Sequence, residues 1–192
     1  MATPNETLIT YVSDMHALVT HGLQAVGRQI ENLKDKSARH PEAYSTIQEI
    51  ERTLQAQATM LDARVTALGG TAKQPVKDVV SAIAGYAAGL INAVREEEAS
   101  KSVRDDYTFL AHTSIGYLML YTTAAGLGDR ETAILAETCY RDSARLAMHI
   151  DKMMPALVLQ ELREDGLAVT DVSQETMMMV RRAWDREARV NG

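Results

Sequence analysis

An all-α fold is predicted for this chain: an antiparallel four-helix bundle followed by an extra short C-terminal helix. Three observations predict it. Apolar residues recur at intervals of three and four along most of the chain, the mark of helices that bury one stripe. Four Pro and eleven Gly are few and cluster at a handful of sites, so the breaks between helices are well separated. Aromatics are scarce, with one Phe, one Trp and seven Tyr, so the core rests on Ala, Leu, Ile, Val and ten Met. That composition suits packed helices better than a β-sandwich. No strand-length run of alternating residues and no short fixed repeat is present.

The first helix opens at "NETLITYVSDM", with Asn5 expected as N-cap ahead of an acidic first turn. Its apolar stripe runs through Leu8, Tyr11, Val12, Met15, Val19, Leu23, Val26, Ile30 and Leu33. "DKSARHPE" breaks the pattern, and Pro41 suits the first turn of a second helix. That helix carries Ile47, Ile50, Leu54, Leu61, Val65 and Leu68 and stops at Gly69–Gly70, a C-cap signal. A third helix is expected from about Val76 to Val94, with Gly85 and Gly89 four apart inside it, a spacing that allows close approach or bending. "REEEASKSVRDD" reads as a charged, solvated stretch holding a kink or short turn, and the next helix is expected from about Asp105 to Ala125. "GLGDRE" is a stop and restart, with Gly128 as C-cap and Asp129 as N-cap. The following helix reaches about Leu162, with Pro155 expected to kink or end it near Met154. Residues 1–166 thus form one helical bundle, and 167–192 a loop and a short amphipathic helix.

The 192 residues are enough for one domain with a core. A net charge of −6 argues against a nucleic-acid binder, because neutralising phosphates takes a basic face. Cys139 is the one cysteine, so neither an intramolecular disulfide nor a Cys-rich metal site can form. It also lacks the basic or helix-N-terminal setting of a reactive thiol. The opening "MATPNETLIT" has no basic stretch followed by an apolar run, and the apolar stretches are too short to span a bilayer. A soluble cytoplasmic protein without membrane association is expected.

A helical bundle is a common host for a dinuclear metal centre, built from a Glu on each of two helices and Glu-x-x-His on the other two. The histidines are His16, His21, His40, His112 and His149. None has an acidic residue three positions before or after it. His16 and His21 are five apart, so at about 100° per residue their rings diverge by roughly 140° and cannot chelate one ion. His16 falls on the flank of the first helix's stripe and His21 on its back. Asp142 and His149 share a face of their helix, with His149 at the edge of the core. Met177, Met178 and Met179 point around their helix rather than together, which favours an apolar contact over soft-metal binding. Met177, Val180 and Trp184 form a stripe that must dock on the bundle or on another subunit. Glu97 and Lys101 are an i, i+4 pair in a charge run read as solvated. No Ser–His–Asp set, phosphate loop or zinc motif is present. No catalytic, metal-binding or cofactor-binding residue is therefore assigned.

"YVSDMHAL", "LDARVTALGG", "VRDDYTFLAHTSIGYLMLYTTAAGLGD" and "ETAILAETCYRD" resemble a ferritin-like family of bacterial stress-associated proteins, over roughly residues 7–165. The resemblance implies a ferritin-like bundle. It also implies where metal-binding relatives hold their ligands: Val19 in the first helix, Leu54 and Gln57 in the second, Thr113 in the helix before "GLGD", and Arg141 with Asp142 after it. These positions depart from the ligand pattern, so the dinuclear centre is expected to be lost. The leading expectation is a non-catalytic, stress-associated structural or assembly unit, a homodimer or larger, without cofactor. One alternative is a metal-binding oxidase or storage protein with non-standard ligands drawn from His112, Tyr117, Asp142 and His149. The other is a cargo or adaptor module that docks through its last helix.

Overall fold

The computed structural model describes residues 2–71 and 98–190. The chain forms an all-α bundle, and among the described residues there are five α-helices and no strand: α1 Pro4–Leu33, α2 Pro41–Ala67, α3 Ala99–Gly126, α4 Arg130–Glu164 and α5 Ser173–Val190. The helix expected over 76–94 lies outside the described residues.

Each boundary has a local cause. The N-cap of α1 is Thr3, two residues before the expected Asn5. Thr3, Pro4 and Glu6 make a capping box: the Glu6 N–H donates to Thr3 Oγ1 at 3.2 Å, and the Thr3 N–H donates to Glu6 Oε2 at 2.7 Å. Pro4 has no N–H to lose at the first helical position. Asn5 instead donates through Nδ2 to the Leu68 carbonyl at 3.0 Å, closing the end of α2. Gly69 and Gly128 take φ of +82° and +77° and end α2 and α3 as the sequence indicates, with the Gly70 N–H returning to the Val65 carbonyl and the Asp129 N–H to that of Ala124.

Two expected boundaries move. α3 begins at Ala99 rather than near Asp105, because the stretch read as solvated has a core face: Ala99, Ser100, Val103 and Asp106 are all buried. Its first turn is satisfied from another helix, the Ser100 N–H donating to Glu161 Oε1 at 2.9 Å. α4 does not end at Pro155 but continues to Glu164. Met153, Leu157 and Leu159 are buried on both sides of the proline, and that burial holds the helix against the bundle despite the missing hydrogen bond.

The core comes from all four long helices, with Val12, Val19, Ile47, Ile50, Leu54, Leu61, Leu110, Leu120 and Leu146 inaccessible to solvent. Cross-helix contacts fix the directions. At one end, Arg64 of α2 meets Asp129 and Glu131 at the start of α4, and Asn5 of α1 meets Leu68. At the other end, Gln160 of α4 donates to the Arg39 carbonyl at 2.6 Å, His40 faces Glu164, and Ser100 meets Glu161. α1 and α2 are therefore antiparallel, as are α3 and α4, whereas α2 and α3 run the same way. The bundle is not antiparallel throughout, because α2 ends and α3 begins at opposite ends of it.

Candidate functional site

The centre of the bundle holds a polar cluster on three helices. Gln57 of α2 is fully buried, and its two amide atoms are both engaged. Oε1 accepts from Tyr117 Oη of α3 at 2.9 Å. Nε2 donates to the Cys139 carbonyl at 3.3 Å and to Ser143 Oγ at 3.4 Å, both on α4. Val19 and Leu54 are buried, as is Thr113, whose hydroxyl turns back to the Leu110 carbonyl at 3.0 Å. Burial pushes the Tyr117 hydroxyl well above its ordinary pKa, with Cys139 and Asp142 adding to it. Burial likewise pushes the Cys139 thiol up to about 12, against a bond from Tyr117 that lowers it. Both groups are neutral across the physiological range, and the thiol is not a nucleophile there.

The positions that the resemblance matches to metal ligands thus hold methyl groups, a hydroxyl bonded to its own helix and an amide with its donor and acceptor used. Such a donor set does not fit a dinuclear centre, which takes carboxylates and imidazoles. Arg141 is exposed and pairs with Glu137, and Asp142 is half-buried. Among the described residues no group of three or more His, Cys, Asp or Glu side chains is placed to hold a metal ion.

The other candidates are dispersed. His112 is exposed on α3, while Tyr117, five residues on, points inward. His149 is half-buried at the edge of the core, its Nε2 3.1 Å from Thr46 Oγ1. His16 and His21 are both half-buried, and His21 Nε2 is enclosed without a partner, so His21 is less exposed than a position on the back of α1 suggests. Lys101 pairs with Glu98 at 2.8 Å; Glu96 and Glu97 lie outside the described residues. On α5, Met177 and Val180 are half-buried, whereas Trp184 at the end of the same stripe is 64% exposed.

Asp106 was not singled out from sequence. It sits on the core face of α3, 3% exposed, next to the side chain of Gln29 on α1. Burial pushes its carboxyl up to about 8; the Gln29 bond opposes this and the charge of Asp105 adds to it. The signal was available. Val103, Asp106, Leu110, Thr113, Tyr117, Leu120 and Ala124 alternate steps of three and four, which puts Asp106 on the buried stripe.

A family profile described as "Domain of unknown function (DUF892)" matches residues 3–163. The chain belongs to this family. The match takes in α1 to α3 and nearly all of α4, and stops before α5. No curated protein and no solved structure matches the chain. For this DUF892 chain, any functional reading therefore rests on its own residues. No helix among the described residues is long and apolar enough to cross a membrane.

Proposed function

We propose that this chain is a ferritin-like bundle working without a dinuclear centre, as a non-catalytic structural or assembly unit of the stress-associated kind, cytoplasmic and a homodimer or larger. The observation that carries the reading is Gln57, buried at the bundle centre with both amide atoms bonded to Tyr117, Cys139 and Ser143. A core satisfied in this way gains from apolar burial around it and has no uncompensated charge. The parallel run of α2 and α3 supports the ferritin-like reading, since that architecture has one long crossover between antiparallel pairs.

The outer surface of α3 and α4 supports assembly. Residues 107–128 contain no Asp, Glu, Lys or Arg, yet Ile115, Leu118 and Met119 are exposed, as are Ile134 and Met148 on α4. Exposed apolar surface of this kind marks an interaction site. The test is metal analysis of protein purified from iron- and manganese-supplemented cells, with mass measurement in solution. Substoichiometric metal and a dimer or larger species are expected. One or more tightly bound ions per chain would overturn the metal-free reading, and a monomer at every concentration would overturn assembly.

A second reading, a cargo or adaptor module, is favoured by the exposed Met178, Met179 and Trp184 of α5. Removing residues 168–192 would then change the proteins that co-purify, while the mass of the assembly stayed the same.

A further inference from the structure

Asp106 and Gln29 meet across the α1–α3 interface, and each leaves an acceptor unused. Oδ2 of Asp106 and Oε1 of Gln29 are both buried without a partner, and the Gln29 amide is close enough to act on the carboxyl. An ionised carboxylate can only accept. In that state two enclosed oxygens stay unsatisfied, each costly to leave so. One proton resolves both. A neutral carboxyl offers an O–H and a C=O, a primary amide offers an N–H and a C=O, and the two sets are complementary.

We infer that Asp106 is held as the neutral acid and closes a two-bond ring with Gln29, its Oδ2–H donating to Gln29 Oε1 while Gln29 Nε2–H donates to Asp106 Oδ1. The ring is a proton-dependent clamp between α1 and α3. Its setting keeps the proton in place. Enclosure in the core disfavours the charged form, and Asp105 on the same helix, ion-paired with Arg104 at 2.6 Å, repels a second charge. From α1 only the Gln29 amide acts on the carboxyl, and among the described residues no charged group of α2 or α4 shifts it. The clamp is present below pH 8 and is lost as the pH rises through that value.

Infrared spectroscopy of the full chain, with aspartate carboxyls isotope-labelled, tests this directly. Well below pH 8 the wild type should show a protonated-carboxyl band that Asp106→Asn lacks, and well above pH 8 the band should disappear. Gln29→Met should keep the band and move it to the position of a carboxyl without an amide partner. In urea unfolding, the wild-type midpoint should fall as the pH rises from the unfolded carboxylate range toward 8 and level off above it, whereas Asp106→Asn, whose amide pairs with Gln29 without a titrating proton, should stay level over that range. Absence of the band below pH 8, or a band that Gln29→Met does not move, would overturn the inference. So would an Asp106→Asn midpoint that falls as the wild type's does.

Discussion

Phe109 packs where Gly22 has no side chain. A Cβ on Gly22 would lie 2.0 Å from Phe109 Cζ and 2.5 Å from Cε1, and an aromatic ring is too stiff to yield by bending. Gly22→Ala should therefore lower stability by about 1–3 kcal/mol, against the roughly 0.5–1 kcal/mol that alanine ordinarily gains over glycine inside a helix. Gly116→Ala on the facing helix is the control. There the nearest atom is Met15 Sδ at 2.6 Å, and methionine repacks easily, so its loss should be smaller. Urea unfolding of the two variants checks the order; a more stable Gly22→Ala would show that the ring swings out. At this scale the sequence is informative in part. The 3–4 alternation from Val103 to Ala124 marks Asp106 as buried, but nothing local to Gly22 says that an aromatic ring from 87 positions away occupies its surface. That is a property of the pairing of two helices.

The start of α4 shows how one residue can tie elements together. Asp129 caps the helix, accepting from the Thr132 N–H at 2.8 Å. It also receives the Arg64 guanidinium of α2 on both oxygens at 2.7 and 2.6 Å. Burial raises the Asp129 pKa, and the bonds from Thr132 and Arg64 outweigh it, so the net shift is downward. Its stabilising contribution is present above the unfolded carboxylate range, near pH 4, and is lost as the pH falls through the lower folded value. Asp129→Ala should cost about 1–2 kcal/mol near neutral pH. In a double-mutant cycle with Arg64→Met it should couple favourably, because the guanidinium bridges two helices; additive losses would mean the ion pair is idle. The cap and the glycine stop at Gly128 were legible, since both are local chemistry. The passage of α4 through Pro155 was not, because there distant packing overrides a local preference. Removing the ring should expose that cost, with Pro155→Ala raising the unfolding midpoint.

For the whole molecule, Asp106 and Asp129 bound stability from opposite sides. Asp106, raised to about 8, contributes fully below its unfolded pKa, and that contribution falls as the pH rises toward and through the folded value. The slope from one such group is at most about 1.4 kcal/mol per pH unit. Asp129, lowered, contributes above its unfolded pKa and is lost in acid. Unfolding free energy should thus peak on the mildly acidic side and decline up to about pH 8, with Asp106→Asn removing that decline alone. The helices of the described chain could be read from their stripes and breaks, whereas their directions could not: whether α2 and α3 run together depends on how the chain crosses between residues 68 and 98. Assembly, too, is a property of the whole, and the chain carries its own reporter. Trp184 is the single tryptophan and is 64% exposed in the isolated chain. If the α5 stripe docks on a second copy, raising the protein concentration should shift its emission to the blue in step with the rise in mass. If the copies instead meet through Ile115, Met119 and Met148, mass should rise while the emission stays red. A mass that never rises would leave both apolar faces open to a different protein.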